Sequence, residues 1–262
     1  MRAAVAGQLG VMSQALPPSA FAKLTQITVS LLRDGEDEVA EQAVRQLTVL
    51  CETMNPKDKS LMDAVFPALV YLSPISSDNG GRRGETSPRV RRAVAKATIS
   101  LAALDPAFVG SRFVAIWEGF LRDNTSKDAA DVRRVCVDGI PHIAESIGSQ
   151  FMLGENATWG KLLRMLFESS KSKAVDEFNA AKGANNPQQS GGGQGEAVPG
   201  EPVETPKWRV RRSILMSIDA LLRHDKTYAL QVWNACLSDE AQEVRVAAGE
   251  VGVLLLLLFE ER

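Results

Sequence analysis

The chain has 262 residues, of which 45% are hydrophobic and 6% aromatic, and its formal net charge at pH 7 is -2. This length and hydrophobic content allow one large domain or two ordinary ones, and the frequent Ala, Val and Leu favour closely packed helices over a β-sandwich. The near-neutral charge excludes a global field that would gather nucleic acid or anionic lipid. We therefore expect an all-α protein whose partners are recognised by local surfaces.

The cysteines and the apolar segments exclude further classes of protein. Cys51, Cys136 and Cys236 are widely separated, odd in number and without a CxxC pair, so neither a disulfide framework nor a zinc site is expected. The most apolar run, residues 253–259, is far shorter than the roughly 20 residues of a membrane-spanning helix. We expect no cofactor, no metal and no membrane association, and a location in the cytoplasm, with the nucleus as the alternative.

A repeated pattern of apolar residues runs through the chain. Residues 32–39 (LRDGEDEV) and 237–244 (LSDEAQEV) share a Leu, an Asp two positions later, a Glu and a final Val. When that Val is taken as an anchor, further apolar residues follow it by four, eight and eleven positions, which is the spacing of one helix face. Among these face positions, Thr98 and Gly252 are imperfect. The anchors are Met1, Val39, Val90, Val132, Val210 and Val244.

A second apolar helix is predicted before each anchor except the first. Each unit is therefore a helix, a turn and a second helix, and the anchors recur every 34 to 41 residues when the extra length of the longer turns is left out. Paired-helix solenoids have a period of about 34 to 47 residues. The sequence predicts one α-solenoid of about six antiparallel helix pairs over residues 1–262.

The extra length falls in the turns between the two helices of a unit. The longest insertion, about residues 169–206, and a shorter one, residues 74–88, are poor in apolar residues and rich in Gly and Pro. This composition is typical of disorder. Because one class of turn takes all the extra length, we expect these turns to form one exposed edge, the turn ridge. Ser87 and Thr205, each followed by Pro near the end of an insertion, are candidate phosphorylation sites.

The unit with an Asp in the turn and a Val-Arg pair after it, as in Asp239 with Val244 and Arg245, resembles the HEAT repeat. Within that family, KWRVR at residues 207–211 is similar to turns in the scaffold (A) subunits of protein phosphatase 2A and the related regulatory subunits of protein phosphatase 4. The HEAT resemblance implies a ladder of Asp and Arg side chains between neighbouring units. Its ladder residues here are Asp123, Arg133, Asp239 and Arg245.

Some residues depart from the family pattern. Ala40 stands where the other units have an Arg after the anchor, and the long insertion is unlike the regular scaffold subunit, which suggests a divergent relative. Met1 occupies an anchor position with no helix ahead of it, and the other end is intensely apolar. Because solenoids need polar caps, we expect a segment of a longer array.

The resemblance implies a non-catalytic scaffold or regulatory subunit whose turn ridge binds a Ser/Thr protein phosphatase catalytic subunit. Trp208, a large aromatic residue on a turn, either anchors a partner or packs against its own neighbours. The basic residues of the third and fifth turns either meet an acidic partner or, as with Arg91 and Arg211, belong to the ladder. The predicted partner-binding residues are Glu36, Asp37, Arg89, Lys207, Trp208, Arg209, Asp239 and Glu240.

Other functions are weighed against this one. The only histidines are His142 and His224, and no phosphate-binding loop, HExxH or paired acidic motif occurs, so neither an enzyme nor a small-molecule substrate is expected. A tubulin-binding array should have mainly basic turns, whereas these turns alternate acidic and basic. The same mixture gives nucleic acid no continuous cationic track. A transport or assembly adaptor stays open.

Overall fold

The computed structural model describes residues 1–53, 60–73, 86–104, 106–122, 127–147, 152–153, 158–171 and 207–260. These ranges contain helices and no strand, which confirms the all-α class. Within them, no helix combines the length and the apolar character that crossing a membrane requires.

Thirteen α-helices lie in the described ranges, with one short 3-10 helix at Pro18–Ala20. In chain order they are α1 (Arg2–Gly7), α2 (Leu9–Ala15), α3 (Phe21–Leu32), α4 (Asp37–Thr53), α5 (Ser60–Tyr71), α6 (Pro88–Leu104), α7 (Pro106–Arg122), α8 (Lys127–Ser146), α9 (Thr158–Lys171), α10 (Lys207–Leu215), α11 (Ile218–His224), α12 (Lys226–Leu237) and α13 (Gln242–Glu260).

The helices that follow the anchors pack side by side, and we call them the anchor row. The contacts run from α1 and α2 to α4, then to α6, to α8, to α10 and α11, and from α10 to α13. Their cohesion comes from the repeated apolar face. The positions four, eight and eleven residues after each anchor are buried except Val5, Met12 and Gly252, and burial of an aliphatic side chain contributes about 1.5–3 kcal/mol.

The remaining long helices, α3, α5, α7, α9 and α12, form a second row. Helix α3 packs on α5 and α7 packs on α9. Aromatic contacts join α5 to α7 and also lie between α7 and α9. The ring centroids of Phe66 in α5 and Phe113 in α7 are 6.1 Å apart, and those of Trp117 in α7 and Trp159 in α9 are 5.8 Å apart. The guanidinium of Arg164 in α9 lies 4.7 Å from the ring centroid of Tyr228 in α12.

Two tryptophans of the second row explain the two imperfect positions of the repeat. Trp117 Nε1 donates a hydrogen bond of 3.0 Å to the buried hydroxyl of Thr98. The indole of Trp233 lies so close to Gly252 that a Cβ there would be 3.2 Å from Cζ2. The Thr98 hydroxyl supplies the hydrogen-bond acceptor that the indole of Trp117 needs. The absence of a side chain at Gly252 leaves space for the indole of Trp233.

The two predicted insertions begin or end at different residues in the structure. The sequence predicts an insertion from about Ser169, but α9 continues to Lys171, because Phe167 and Ser170 are buried and add another helical turn. At the other insertion, Pro88 is the first residue of α6, a position that suits proline because its missing N–H would have no helical partner. Residues 74–85 and 172–206 lie outside the described residues.

Candidate protein-binding site

Arg211 and Asp239 form a buried ion pair between α10 and the turn before α13. Arg211 Nε donates to Asp239 Oδ2 at 2.6 Å and Nη2 donates to Oδ1 at 2.9 Å, while Nη1 donates to the carbonyl oxygen of Ser170 at 2.7 Å. Asp239 Oδ1 also accepts the N–H of Ala241 at 2.9 Å. The pair therefore joins the last turn of α9, the start of α10 and the turn that leads into α13.

A related pair lies near the start of the chain. Arg2 Nε lies 3.0 Å from Asp34 Oδ2, and Arg2 Nη2 donates to Glu36 Oε1 at 2.7 Å. Arg2 and Arg211 each follow an anchor, and Asp34 and Asp239 each lie in the turn of the next unit. Both pairs therefore join the residue after one anchor to the turn before the next anchor-row helix.

The other predicted ladder residues have different surroundings. Arg245 Nη1 donates to the carbonyl oxygens of Asp239 and Glu240, at 2.6 and 2.8 Å, so it stabilises the turn backbone. Arg133 is half-buried in α8, and Asp123 lies outside the described residues. The arginine that binds the Asp239 carboxylate is Arg211 and not Arg245.

The predicted partner-binding residues differ in how accessible they are. Glu36 and Glu240 are exposed and Lys207 is half-exposed at the start of α10. Trp208 is half-buried and packs against the hydrophobic core. The side chain of Asp239 is only 7% exposed, so its carboxylate is inaccessible to a partner.

Arg209 is bound within the chain. Its Nε and Nη2 donate to the two carboxylate oxygens of Asp138 in α8, at 2.6 and 2.7 Å. The side chain remains 35% exposed, so a partner would have to compete with Asp138 for the guanidinium.

Asp37 and Arg89 come together at a groove between α4 and α6, with a volume of about 950 Å³. Two small residues of α6, Ala93 and Ala97, also line the groove. One wall is acidic and the other basic. The charged lining residues are Asp37, Glu38, Glu41 and Arg45 of α4, with Arg89, Arg92 and Lys96 of α6.

The two charged walls do not pair with each other in the described structure. Glu41 binds Arg45 of its own helix at 2.6 Å. Arg89, Arg92 and Lys96 form no salt bridge with any carboxylate of the described residues. The α6 wall therefore presents three cationic groups to whatever enters the groove.

The groove is not predicted by the sequence pattern. The sequence indicates an acidic second turn and a basic third turn, but not that α4 and α6 bring these residues to one groove. The available signal was the spacing of Arg89, Arg92 and Lys96, three and then four residues apart, which places them on one helix face.

Burial sets the protonation of the cysteine thiols in the described core. The three cysteines are buried, and this desolvation raises the pKa of Cys51 and Cys236 to about 12 and also raises the pKa of Cys136. The described residues also hold no cluster of three His, Cys, Asp or Glu side chains that would suit a metal ion.

No protein-family model matches the chain, and the curated proteins give no significant match. The two candidate surfaces are the residues of the predicted turn ridge and the α4–α6 groove.

Proposed function

We propose that this chain is a non-catalytic scaffold or regulatory subunit, in the cytoplasm or nucleus, that binds a Ser/Thr protein phosphatase catalytic subunit on its turn ridge. In this proposal the two rows of helices form an α-solenoid of about six HEAT-type pairs. The partner class comes from the resemblance of residues 207–211 to turns of phosphatase scaffold subunits.

One observation carries the proposal: an arginine after an anchor binds the turn aspartate of the next unit at both ends of the described chain. Arg2 does so with Asp34, and Arg211 with Asp239. These pairs hold the starts of neighbouring anchor-row helices at the same edge. Glu36 and Glu240 lie near these pairs in the sequence and are exposed. Exposed polar side chains at this edge are available for contact with a partner.

The test is direct binding between the full chain and purified catalytic subunits of protein phosphatases 2A and 4, measured by biolayer interferometry. We expect a dissociation constant of about 1 μM or tighter for one of them, which corresponds to about -8 kcal/mol. Tubulin, run beside them, tests the rival array. Tubulin binding with no phosphatase binding would replace the proposal with that rival.

Variants locate the surface. Lys207→Glu combined with Glu240→Lys changes two ridge residues without altering net charge, and we expect it to weaken phosphatase binding by about tenfold, or about 1.4 kcal/mol. Trp208→Ala tests the aromatic anchor and is accompanied by a thermal melt, since this side chain also packs against the core. Lys23→Glu, at an exposed position of α3, is the control. Equal binding by the ridge variant and the control would reject the turn ridge.

A further inference from the structure

The groove between α4 and α6 has a chemistry of its own, although its lining includes two of the predicted ridge residues, Asp37 and Arg89. We propose that this groove binds an extended segment of a partner protein in which acidic and basic residues alternate. The acidic residues face Arg92 and Lys96 on α6, and the basic residues face Glu38 on α4. This binding goes beyond the proposed phosphatase complex and does not require it.

The length of the groove suits a short extended segment. Its lining residues run from position 37 to 48 on α4 and from 87 to 100 on α6. At 1.5 Å per residue of helix, the walls are about 16 to 20 Å long. An extended chain rises about 3.3 Å per residue, so the groove accommodates about five or six residues.

The opposite charges of the two walls determine which peptide side chains fit. Successive side chains of an extended chain point to opposite sides, so each wall contacts every second residue. Cations on α6 favour acidic residues at one set of positions, and the carboxylates of Asp37 and Glu38 favour basic residues at the intervening ones. A uniformly acidic segment, or the phosphate backbone of a nucleic acid, would be repelled by the α4 wall.

The pairing and the exposure of the charged side chains favour binding of a ligand in the groove. Because Arg89, Arg92 and Lys96 have no ion pair with a described carboxylate, binding on that wall breaks no ion pair among the described residues. Arg89, Lys96 and Glu38 are exposed, and Arg92 is half-exposed. Ala93 and Ala97, which also line the groove, have small side chains that leave room for a peptide backbone.

The experiment is a fluorescence-anisotropy titration of the full chain with labelled hexapeptides. One peptide alternates Glu and Lys, a second has the same composition as three Glu followed by three Lys, and a third contains only Glu. We expect the alternating peptide to bind about fivefold tighter than either of the others, and all binding to weaken as salt is raised.

Charge reversal in the groove provides the decisive comparison. Arg92→Glu with Lys96→Glu makes both walls acidic, and we expect about tenfold weaker binding of the alternating peptide. Adding Glu38→Lys should recover about threefold of this loss, because an alternating peptide can shift by one residue and present its opposite set of charges. The control, Lys23→Glu with Arg212→Glu, makes the same net charge change at exposed positions outside the groove.

Three results would overturn the proposal: equal binding of the alternating and block peptides, tighter binding of the all-Glu peptide, or equal losses in the groove variant and the control. A six-nucleotide RNA that binds more tightly than the alternating peptide, and loses that binding in the groove variant, would assign the groove to nucleic acid instead. Phosphatase binding by Arg92→Glu with Lys96→Glu is measured in parallel, so that failure of one proposal is distinguished from failure of the other.

Discussion

Arg211 lies 28 residues before Asp239 in the chain, yet their side chains form two hydrogen bonds and are only 4% and 7% exposed. Arg2 and Asp34 occupy the corresponding positions and form an ion pair at 3.0 Å, but the Arg2 side chain is 59% exposed. The same sequence feature therefore gives a buried pair at one end of the described chain and, at the other, a pair whose arginine is exposed while its aspartate is 13% exposed.

This difference in burial predicts a difference in stability. Arg211→Ala leaves the Asp239 carboxylate buried without its partner, which costs about 3–5 kcal/mol. Arg2→Ala removes an exposed contact and costs about 0–1 kcal/mol. Urea unfolding followed by circular dichroism measures both free energies of unfolding. Equal losses would show that burial does not separate the two pairs.

The Trp117–Thr98 hydrogen bond predicts non-additive mutations. Thr98→Val leaves the buried indole N–H of Trp117 without its 3.0 Å acceptor, at a cost of about 1–3 kcal/mol. Trp117→Phe removes the donor, so adding Thr98→Val to Trp117→Phe should cost less than Thr98→Val costs alone. A double-mutant cycle of urea-unfolding free energies gives the coupling. A coupling of zero would contradict the role assigned to Thr98.

Two helical glycines predict opposite effects of the same substitution. A Cβ at Gly160 would overlap the carbonyl oxygen of Met152, whereas a Cβ at Gly249 meets nothing within 4 Å. Gly160→Ala should therefore destabilise by about 1–3 kcal/mol, and Gly249→Ala should stabilise by about 0.5–1 kcal/mol because alanine favours the helix. Thermal melting of the two variants measures the signs. A stabilising Gly160→Ala would contradict the packing of α9.

Burial of the thiols predicts their reactivity. Desolvation raises the pKa of Cys51 and Cys236 from an ordinary 9.0 to about 12, so the folded chain retains these protons between those pH values while the unfolded chain loses them. The thiols should thus favour the folded state fully below pH 9.0 and progressively less as pH rises toward about 12. A chromogenic disulfide reagent at pH 8 should label the native chain only slowly and the denatured chain rapidly. Rapid native labelling would contradict the buried positions.

Ser87 offers a way to regulate the α4–α6 groove. It precedes α6, accepts the N–H of Val90 at 3.5 Å and lines the groove near Arg89 and Arg92. Ser87→Asp keeps a helix-capping side chain but adds a negative charge beside these cations, so we expect it to weaken binding of the alternating peptide by about threefold. Ser87→Asn, which caps without charge, is the matched control for the anisotropy measurement. Equal affinities would exclude an electrostatic effect of Ser87.

The sequence predicts the helical rows well because their signal is local. Apolar residues at helical spacing after Val39, Val90 and Val132 specify a buried face, and the structure buries these faces. Thr98 and Gly252 depart from the apolar pattern because each contacts a tryptophan of another helix. The spacing of residues within one helix does not predict such contacts. Helix periodicity thus predicts burial but not the particular partner.

The candidate site was predicted less completely. Residues around the turns were identified by charge, but charge alone does not show that Arg209 is bound to Asp138 or that Asp239 is covered by Arg211. The groove depends on which helices become neighbours, a long-range property. Whether a charged residue is accessible to a partner or bound within the chain therefore depends on contacts between distant segments, which the sequence pattern does not show.

Hydrogen–deuterium exchange of the full chain, with and without a saturating phosphatase catalytic subunit, tests the scaffold proposal most directly. The proposal predicts slower exchange at the starts of anchor-row helices on the turn ridge, around Glu36, Lys207 and Glu240, with α3 and α5 of the second row unchanged. No protection with any Ser/Thr phosphatase catalytic subunit, or protection confined to the second row, would contradict it.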